Sequence, residues 1–269
     1  MIEVSLWFMF PVGIGIATIA MMAGIGGAVL FAPFLMLVLK LDPLVALGAD
    51  LVIEFFGFSS GVIGYGRKKE IDFSIVRQIV IFTVPATMAG VLLGRVIPTF
   101  ILQIMLALLI FYLAYQFLFQ GKECLPKDPR CTGVTTTHQK WPVTAIVKIT
   151  SFLGGLLVGM ISAGLGELNE LNFLKKMKLP VATASATSVF LVAMSATIGS
   201  LFHAYFLVQQ DEMEIFADVI SLLIFTVPGV VVGAQIGVLL ANVINASLMG
   251  KFVGILFLIL GVLTLLLVF

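Results

Sequence analysis

Residues 81–94 read IFTVPATMAGVLLG, and residues 224–237 read IFTVPGVVVGAQIG. Seven of the fourteen positions agree, among them the opening five, Pro85 with Pro228, Gly90 with Gly233 and Gly94 with Gly237. Two further echoes occur in the same order. The AGIG of 23–26 answers the AGLG of 163–166, and Lys40-Leu41-Asp42-Pro43 answers Lys178-Leu179-Pro180. Three ordered matches predict an internal duplication, roughly 5–119 and 142–269. The expected organisation is a first transmembrane repeat over 1–120, a cytoplasmic linker over 121–141 and a second repeat over 142–269.

The composition places both repeats in a bilayer. Of 269 residues, 61% are apolar and 11% charged, and the mean hydropathy is +1.19. A soluble domain carries about 25% charge, so this chain has too few charges to cover a surface facing water. Apolar stretches run approximately over 5–39, 43–65, 73–94, 98–119, 142–174, 181–208, 215–240 and 248–269. Six have the length of one helical crossing of a hydrocarbon layer about 30 Å thick. The stretches 5–39 and 142–174 are too long for one straight helix and are interrupted by Ala23-Gly24-Ile25-Gly26-Gly27 and Ala163-Gly164-Leu165-Gly166. Glycine weakens a helix and accepts unusual backbone angles, so each stretch is read as a hairpin or broken helix that enters and returns.

Lys and Arg collect in short cytoplasmic loops. Arg67-Lys68-Lys69, the basic 122–148 region and Lys175 to Lys178 are expected inside, and the base-free Gln209 to Glu214 outside. Only the hairpin count satisfies all four. It gives five segments per half, an odd number that turns the second copy upside down, with both termini outside. The fold class is therefore all-α: a multi-pass protein of the cell membrane built from two inverted repeats. Such repeats are the architecture of many secondary transporters, whose site lies where broken helices meet.

Other classes find little support. The net charge is +1 and the bases sit in short inter-helix clusters, which argues against nucleic-acid binding. The opening MIEVSLWFMF lacks a signal peptide's basic start and cleavage site, so the first helix is expected to remain. Cys124, Cys131 and His138 share the longest polar stretch at spacings better read as a plain loop than as a metal site. No catalytic motif, nucleotide loop or cofactor fingerprint occurs. The chain is expected to be no enzyme, to need no cofactor or metal, and to draw on ion or substrate gradients.

The candidate site residues follow from the two breaks. Helix N-termini presented at membrane depth attract anions, which singles out Gly24, Gly26, Gly27, Gly164 and Gly166 for substrate contact; close helix packing through small residues is the competing role. The second break continues into Glu167, Asn169, Glu170 and Asn172. Intramembrane carboxylates are costly and mark cavities or proton paths. Glu167 is the coupling candidate, and Glu170 shares its face with Lys175 and Lys176 as an alternative ion-pair partner. Asp50 and Glu54, at i,i+4 spacing on one helix face, form a second proton or cation candidate, or hydrogen-bond across the bundle. Thr187 and Ser188, in the ATASATS run of 182–188, are candidate oxyanion donors or backbone-bonded structural hydroxyls. His203, near the outer end of the same stretch, is read as a gate, a proton acceptor or an interface histidine. Pro85 and Pro228 each remove one intrahelical bond and kink equivalent helices; with Gln235 they are assigned to hinge or cavity shaping.

The Gly24-Ile25-Gly26-Gly27 break, Pro33, the helix from Pro43-Leu44-Val45-Ala46 to Tyr65, the Arg67–Lys69 cluster and Ile71-Asp72 together resemble the sulfite exporter TauE/SafE family of membrane permeases. The second copy supplies Gly164-Leu165-Gly166, Pro180, Ala184, Thr187-Ser188 and His203. The resemblance covers nearly the whole chain. It implies a secondary transporter, an exporter, for sulfite, a sulfonate or a sulfoacetate-like anion, held by the two Gly breaks and Thr187-Ser188, without ATP. Glu167 stands where the family often has glycine, and Ala28 departs likewise in the first copy. An acid at that place favours proton or cation coupling. The expected partners are the lipid bilayer, a small anion and a proton or cation. A homodimer, an anion channel and a carrier for another small solute or a cation stay open.

Overall fold

The computed structural model describes residues 4–23, 28–119, 143–209, 213–240 and 246–267. The described residues form no strand. After a short 3-10 turn at Val4–Phe8, the described residues form ten helices: α1 (Met9–Ala23), α2 (Ala28–Val38), α3 (Pro43–Arg67), α4 (Phe73–Val96), α5 (Thr99–Phe119), α6 (Ala145–Ile161), α7 (Leu165–Lys175), α8 (Val181–Gln209), α9 (Met213–Leu240) and α10 (Ala246–Leu266). Seven spans among these residues are long and apolar enough to cross a membrane, with Val29–Val38 and Ala145–Ile161 as shorter apolar helices. The stretch 142–174 splits in two, as its glycines predicted, and α1 and α2 flank the first break. The arms are unequal, however: the first is close to a full span and the second has 11 residues in both α2 and α7. The glycines of the first break, Gly24, Gly26 and Gly27, lie outside the described residues, as do Cys124, Cys131 and His138.

Polarity is distributed for a lipid solvent. Ile81, Leu108, Ile149, Leu201, Leu239 and Ile255 are each more than half exposed, whereas Asp50, Glu54, Glu167, Asn169 and Thr187 are buried. This inverts the water-soluble pattern and agrees with helices as a means of satisfying backbone polar groups inside a membrane.

Local sequence sets the helix ends. Asp42 accepts a hydrogen bond from the Leu44 N–H at 2.9 Å and Pro43 opens α3; a side-chain acceptor followed by proline is a helix-start signal. Asp72 likewise accepts from Ser74 N–H and Ile75 N–H at the start of α4. The echo between Lys40-Leu41 and Lys178-Leu179 has a structural counterpart. Lys40 and Lys178 both adopt left-handed φ, 53° and 54°, a rare conformation for a residue with a Cβ. Beside them, Leu41 N–H donates to the Leu35 carbonyl and Leu179 N–H to the Phe173 carbonyl, each six residues back.

The principal packed pairs are α1 with α9, α4 with α6, α3 with α8 and α5 with α10. Replacing each helix by the one five places along carries this set onto itself. Directions follow from the close contacts. Gly48 faces His203 and Gly61 faces Val189, so α3 and α8 run antiparallel. Gly250 meets Phe117 and Gly261 meets Phe111, so α5 and α10 do too. By contrast α4 and α6 run parallel, Gly155 packing on Thr83 and Gly159 on Thr87 and Gly90. The α1–α9 pair is parallel as well, with Gly229 on Phe10 and Gly233 on Ile14. Lys68 donates to the Val238 carbonyl, Asp72 N–H to Thr187, and Lys175 to Gln116. Arg67 to Lys69 and Lys175 to Lys178 therefore share one end of the bundle. Arg95, stacked 4.3 Å from the Phe206 ring, marks the other.

The α4–α6 seam depends on the absence of side chains. A methyl group at Gly159 would collide with the Thr87 carbonyl and the backbone of Val91, whereas one at Gly15 would meet nothing within 4 Å. Overpacking a core costs about 1–3 kcal/mol. Gly159→Val is expected to lose most of the monodisperse peak in detergent size-exclusion chromatography, and Gly15→Ala to leave it unchanged.

Candidate functional site

The second break is a turn at the tip of a hairpin. Helix α6 ends at Ser162, which takes a left-handed φ of 58°, and Gly164 follows at φ 113°, a value that suits only glycine. Chain reversal there lays α7 back along α6: Ser151 on α6 donates to Asn169 Oδ1 at 2.6 Å, and Asn172 Nδ2 donates to Thr150 at 2.9 Å. The tip is buried, with Ser162, Ala163 and Leu165 at most 2% exposed. Ser162 anchors it by donating to the Leu47 carbonyl of α3 at 2.6 Å. On the other side His203 of α8 is hydrogen-bonded to the Gly159 backbone and faces Gly48.

At this tip the N-terminus of α7 carries its own anion. Glu167 folds back so that its Oε2 accepts from the Gly164 N–H at 3.0 Å. A helix N-terminus presents unsatisfied N–H groups and about half a positive charge, and burial leaves no water to satisfy them. The carboxylate three residues on fills that role. Asp50 of α3 lies within electrostatic reach of Glu167. It is fully buried, and neither of its carboxylate oxygens has a hydrogen-bond partner among the described residues. Glu170, one turn beyond Glu167, interacts electrostatically with it and accepts from Ser185 of α8 at 2.5 Å. Three buried acids from α3 and α7 thus converge between the hairpin and the central α3–α8 pair.

The expected residues separate into two groups. Gly164, Gly166, Glu167, Asn169, Glu170, Asp50 and His203 are brought together around the tip. Glu54, one turn past Asp50, faces the other hairpin instead, lining a cavity of about 10 Å³ with Ala17, Met21 and Phe31. Thr187 and Ser188 lie on α8 with their hydroxyls engaged: Thr187 accepts from the Asp72 N–H at 3.1 Å, and Ser188 donates to the Gly166 carbonyl at 2.7 Å. These bonds fasten α8 to its neighbours and correspond to the backbone-bonded alternative. Gln235 also holds helices together, donating to the carbonyl and hydroxyl of Ser60 at 2.6 and 2.8 Å. Pro85 sits inside α4 next to the seam where Gly155 of α6 leaves no room for a side chain against the Thr83 carbonyl, and Pro228 inside α9 beside Gly229.

Ser151 and Ser162 were not singled out in the sequence, and Ser185 only as part of the ATASATS run. Their signal was available only as a hydroxyl within an apolar run, which at membrane depth equally describes a side chain bonded to its own helix. Asn169 was foreseen, but its partner was not; its Nδ2 stays buried without an acceptor among the described residues.

Comparison with known proteins agrees with this architecture. The family described as Sulfite exporter TauE/SafE matches residues 9–264. The chain is 22% identical over 230 residues to the probable membrane transporter protein YjnA of Bacillus subtilis, covering 83% of this chain and 87% of that one. It is 23% identical over 206 residues to the probable membrane transporter protein YunE of the same organism, covering 71% and 75%. No solved structure matches significantly. A hydrophobic helical bundle with a family match over nearly its whole length is a multi-pass membrane transporter, and the chain belongs to the sulfite exporter TauE/SafE family.

Proposed function

We propose that the protein is a secondary transporter that moves a small sulfur-containing or organic anion such as sulfite or a sulfonate together with a proton, exporting it when the substrate's own outward gradient exceeds the opposing proton gradient. The observation that carries this reading is the bond from the Gly164 N–H to Glu167. The N-terminus of α7 is an anion site, and its resident anion is a side chain that a proton can neutralise. When Glu167 takes up a proton it loses its advantage at the N–H, and a substrate anion can replace it. When the substrate leaves, the deprotonated carboxylate closes the site again. Proton uptake and anion binding are then one event. Asp50, buried beside Glu167 without a hydrogen-bonding partner, is a second carboxyl able to receive or pass the proton, and Glu170 a third.

Alternating access between two inverted five-helix repeats supplies the motion. Four features support it: the matched IFTVP segments, the matched left-handed Lys40 and Lys178, the exchange of helix pairs and the antiparallel course of α3 against α8 and α5 against α10. Sharing of one end by Arg67 to Lys69 and Lys175 to Lys178 supports a cytoplasmic position for that end. The sulfur-anion substrate rests on the family description. The convergence of three acids favours a second reading, in which the cargo is a cation and the same carboxylates bind it.

Glu167→Gln is neutral at every pH yet keeps an acceptor for the Gly164 N–H. In proteoliposomes it is expected to lower pH-driven sulfite uptake at least tenfold while retaining sulfite–sulfite exchange. Equal loss of both fluxes would assign Glu167 to folding or substrate contact, and loss of neither would remove it from coupling. If sulfite and sulfonates neither move nor compete while a cation does, the second reading stands.

Asp50→Asn replaces a carboxylate that lacks a partner with an isosteric amide. The amide can neither take up nor pass a proton, so the variant is expected to keep its melting temperature in detergent within about 2 °C while losing pH-driven uptake. A lower melting temperature would mean that Asp50 holds the bundle together.

A further inference from the structure

Both ends of α7 carry polar chemistry, and they are opposite in charge. Its N-terminus is the acid-ringed tip. Its C-terminus opens on a cavity of about 260 Å³ between α5 and the α6–α7 hairpin. Tyr112 and Gln116 of α5 form one wall, Thr150 of α6 the floor, and Asn172, Lys175 and Lys176 of α7 the other wall, with Leu168 and Leu171 between them. Among the described residues no carboxylate lines it. Lys175 reaches across the mouth to donate to Gln116 Oε1 at 3.1 Å, which leaves the Gln116 amide group facing as a donor. Lys176 is exposed beside it. Lysines at a helix C-terminus ordinarily balance the helix dipole and mark a cytoplasmic end. Neither role calls for a cavity or for amide and phenol donors lining it.

The cavity also breaks the correspondence between the halves. Helix α2 is seated against α10, but α7, its counterpart, stands off α5 across this space. The opening lies at the end of the bundle where the bases gather, one 11-residue helix, about 16 Å, from the Glu167 cap.

We infer that this cavity is an oxyanion-binding site, taking the sulfonate, sulfate or phosphate group of a small ion or of an anionic lipid headgroup through Lys175, Lys176, Gln116 and Tyr112. A basic pocket between membrane helices suits either source. As a waiting place for the cargo it rests on the transporter reading, but its existence is testable without any flux.

The test uses full-length protein with Cys124 and Cys131 replaced by Ser and a single cysteine at Leu171, reconstituted in nanodiscs. The rate of modification by N-ethylmaleimide, a neutral reagent, is followed with and without sulfate. Protection of at least fivefold by sulfate in phosphatidylcholine discs identifies a free anion as the ligand. Protection that needs phosphatidylglycerol in place of phosphatidylcholine identifies a headgroup. Either supports the site, provided that Lys175→Gln with Lys176→Gln abolishes the protection. No protection under any condition, or protection that survives the double lysine variant, overturns it and leaves the coupling proposal at Glu167 intact. Leu168→Cys, deeper in the same cavity, repeats the measurement if Leu171→Cys does not fold.

Discussion

Backbone groups freed by a broken helix must find partners where there is no water, and one contact at the hairpin tip answers that constraint for its first N–H. The Gly164 N–H at the hairpin tip is satisfied by the carboxylate of Glu167, three residues along its own helix. Without that bond, an uncapped helix N-terminus would sit buried against α3 and α8, at a cost on the order of a few kcal/mol for the unmet donor. The surrounding contacts hold the tip in place. Ser162 ties it to α3, Ser188 ties Gly166 to α8, and Ser151 and Thr150 keep the two arms in register. An acid serving as a structural cap is also an acid whose protonation alters the structure it caps. That joins the fold of the hairpin to the coupling proposed for it.

The hairpin in turn depends on the other half of the chain. Its long arm, α6, lies parallel to α4, with Gly155 and Gly159 letting the two backbones approach as closely as small-residue membrane packing permits. The same arrangement occurs between α1 and α9 through Gly229 and Gly233. The long arms α6 and α1 are therefore each gripped by the proline-bearing helix of the opposite half. The repeated segments that first disclosed the duplication, 81–94 and 224–237, contain the residues that make these grips. Pro85 and Pro228 stand beside the tightest contacts, where a local loss of hydrogen bonding gives the gripping helix freedom to bend.

Much of this was legible before any coordinates. Matched IFTVP runs, two overlong apolar stretches with glycines inside, and clustered lysines were enough to give an all-helical membrane bundle and the broken stretch at 142–174. Those signals are physical: hydropathy is set by the bilayer, glycine by backbone angle, and lysine by the membrane potential and insertion. The acids Asp50, Glu167 and Glu170 were legible for the same reason, because charge is rare at that depth. What side chains do with their hydrogen bonds was not. Thr187 and Ser188 could be read as oxyanion donors or as structural hydroxyls; in the fold Thr187 accepts from Asp72 N–H and Ser188 donates to Gly166, residues 115 and 22 positions away. Such pairings depend on tertiary approach, which no spacing rule encodes. Gln235 was similar: a polar side chain in an apolar helix signals a partner, and only the fold reveals that the partner is Ser60. The cavity beside Lys175 and Lys176 was equally hidden, since both lysines already had a sufficient explanation in topology.

The central claim is that a proton on Glu167 and an anion at the Gly164 N–H arrive together. Calorimetric titration of the purified protein with a permanently ionised sulfonate, in buffers of different protonation enthalpy, measures the protons exchanged per anion bound. The account predicts uptake of about one proton per anion, vanishing in Glu167→Gln while binding persists. Binding with no proton exchange, or with the same uptake in Glu167→Gln, would contradict it.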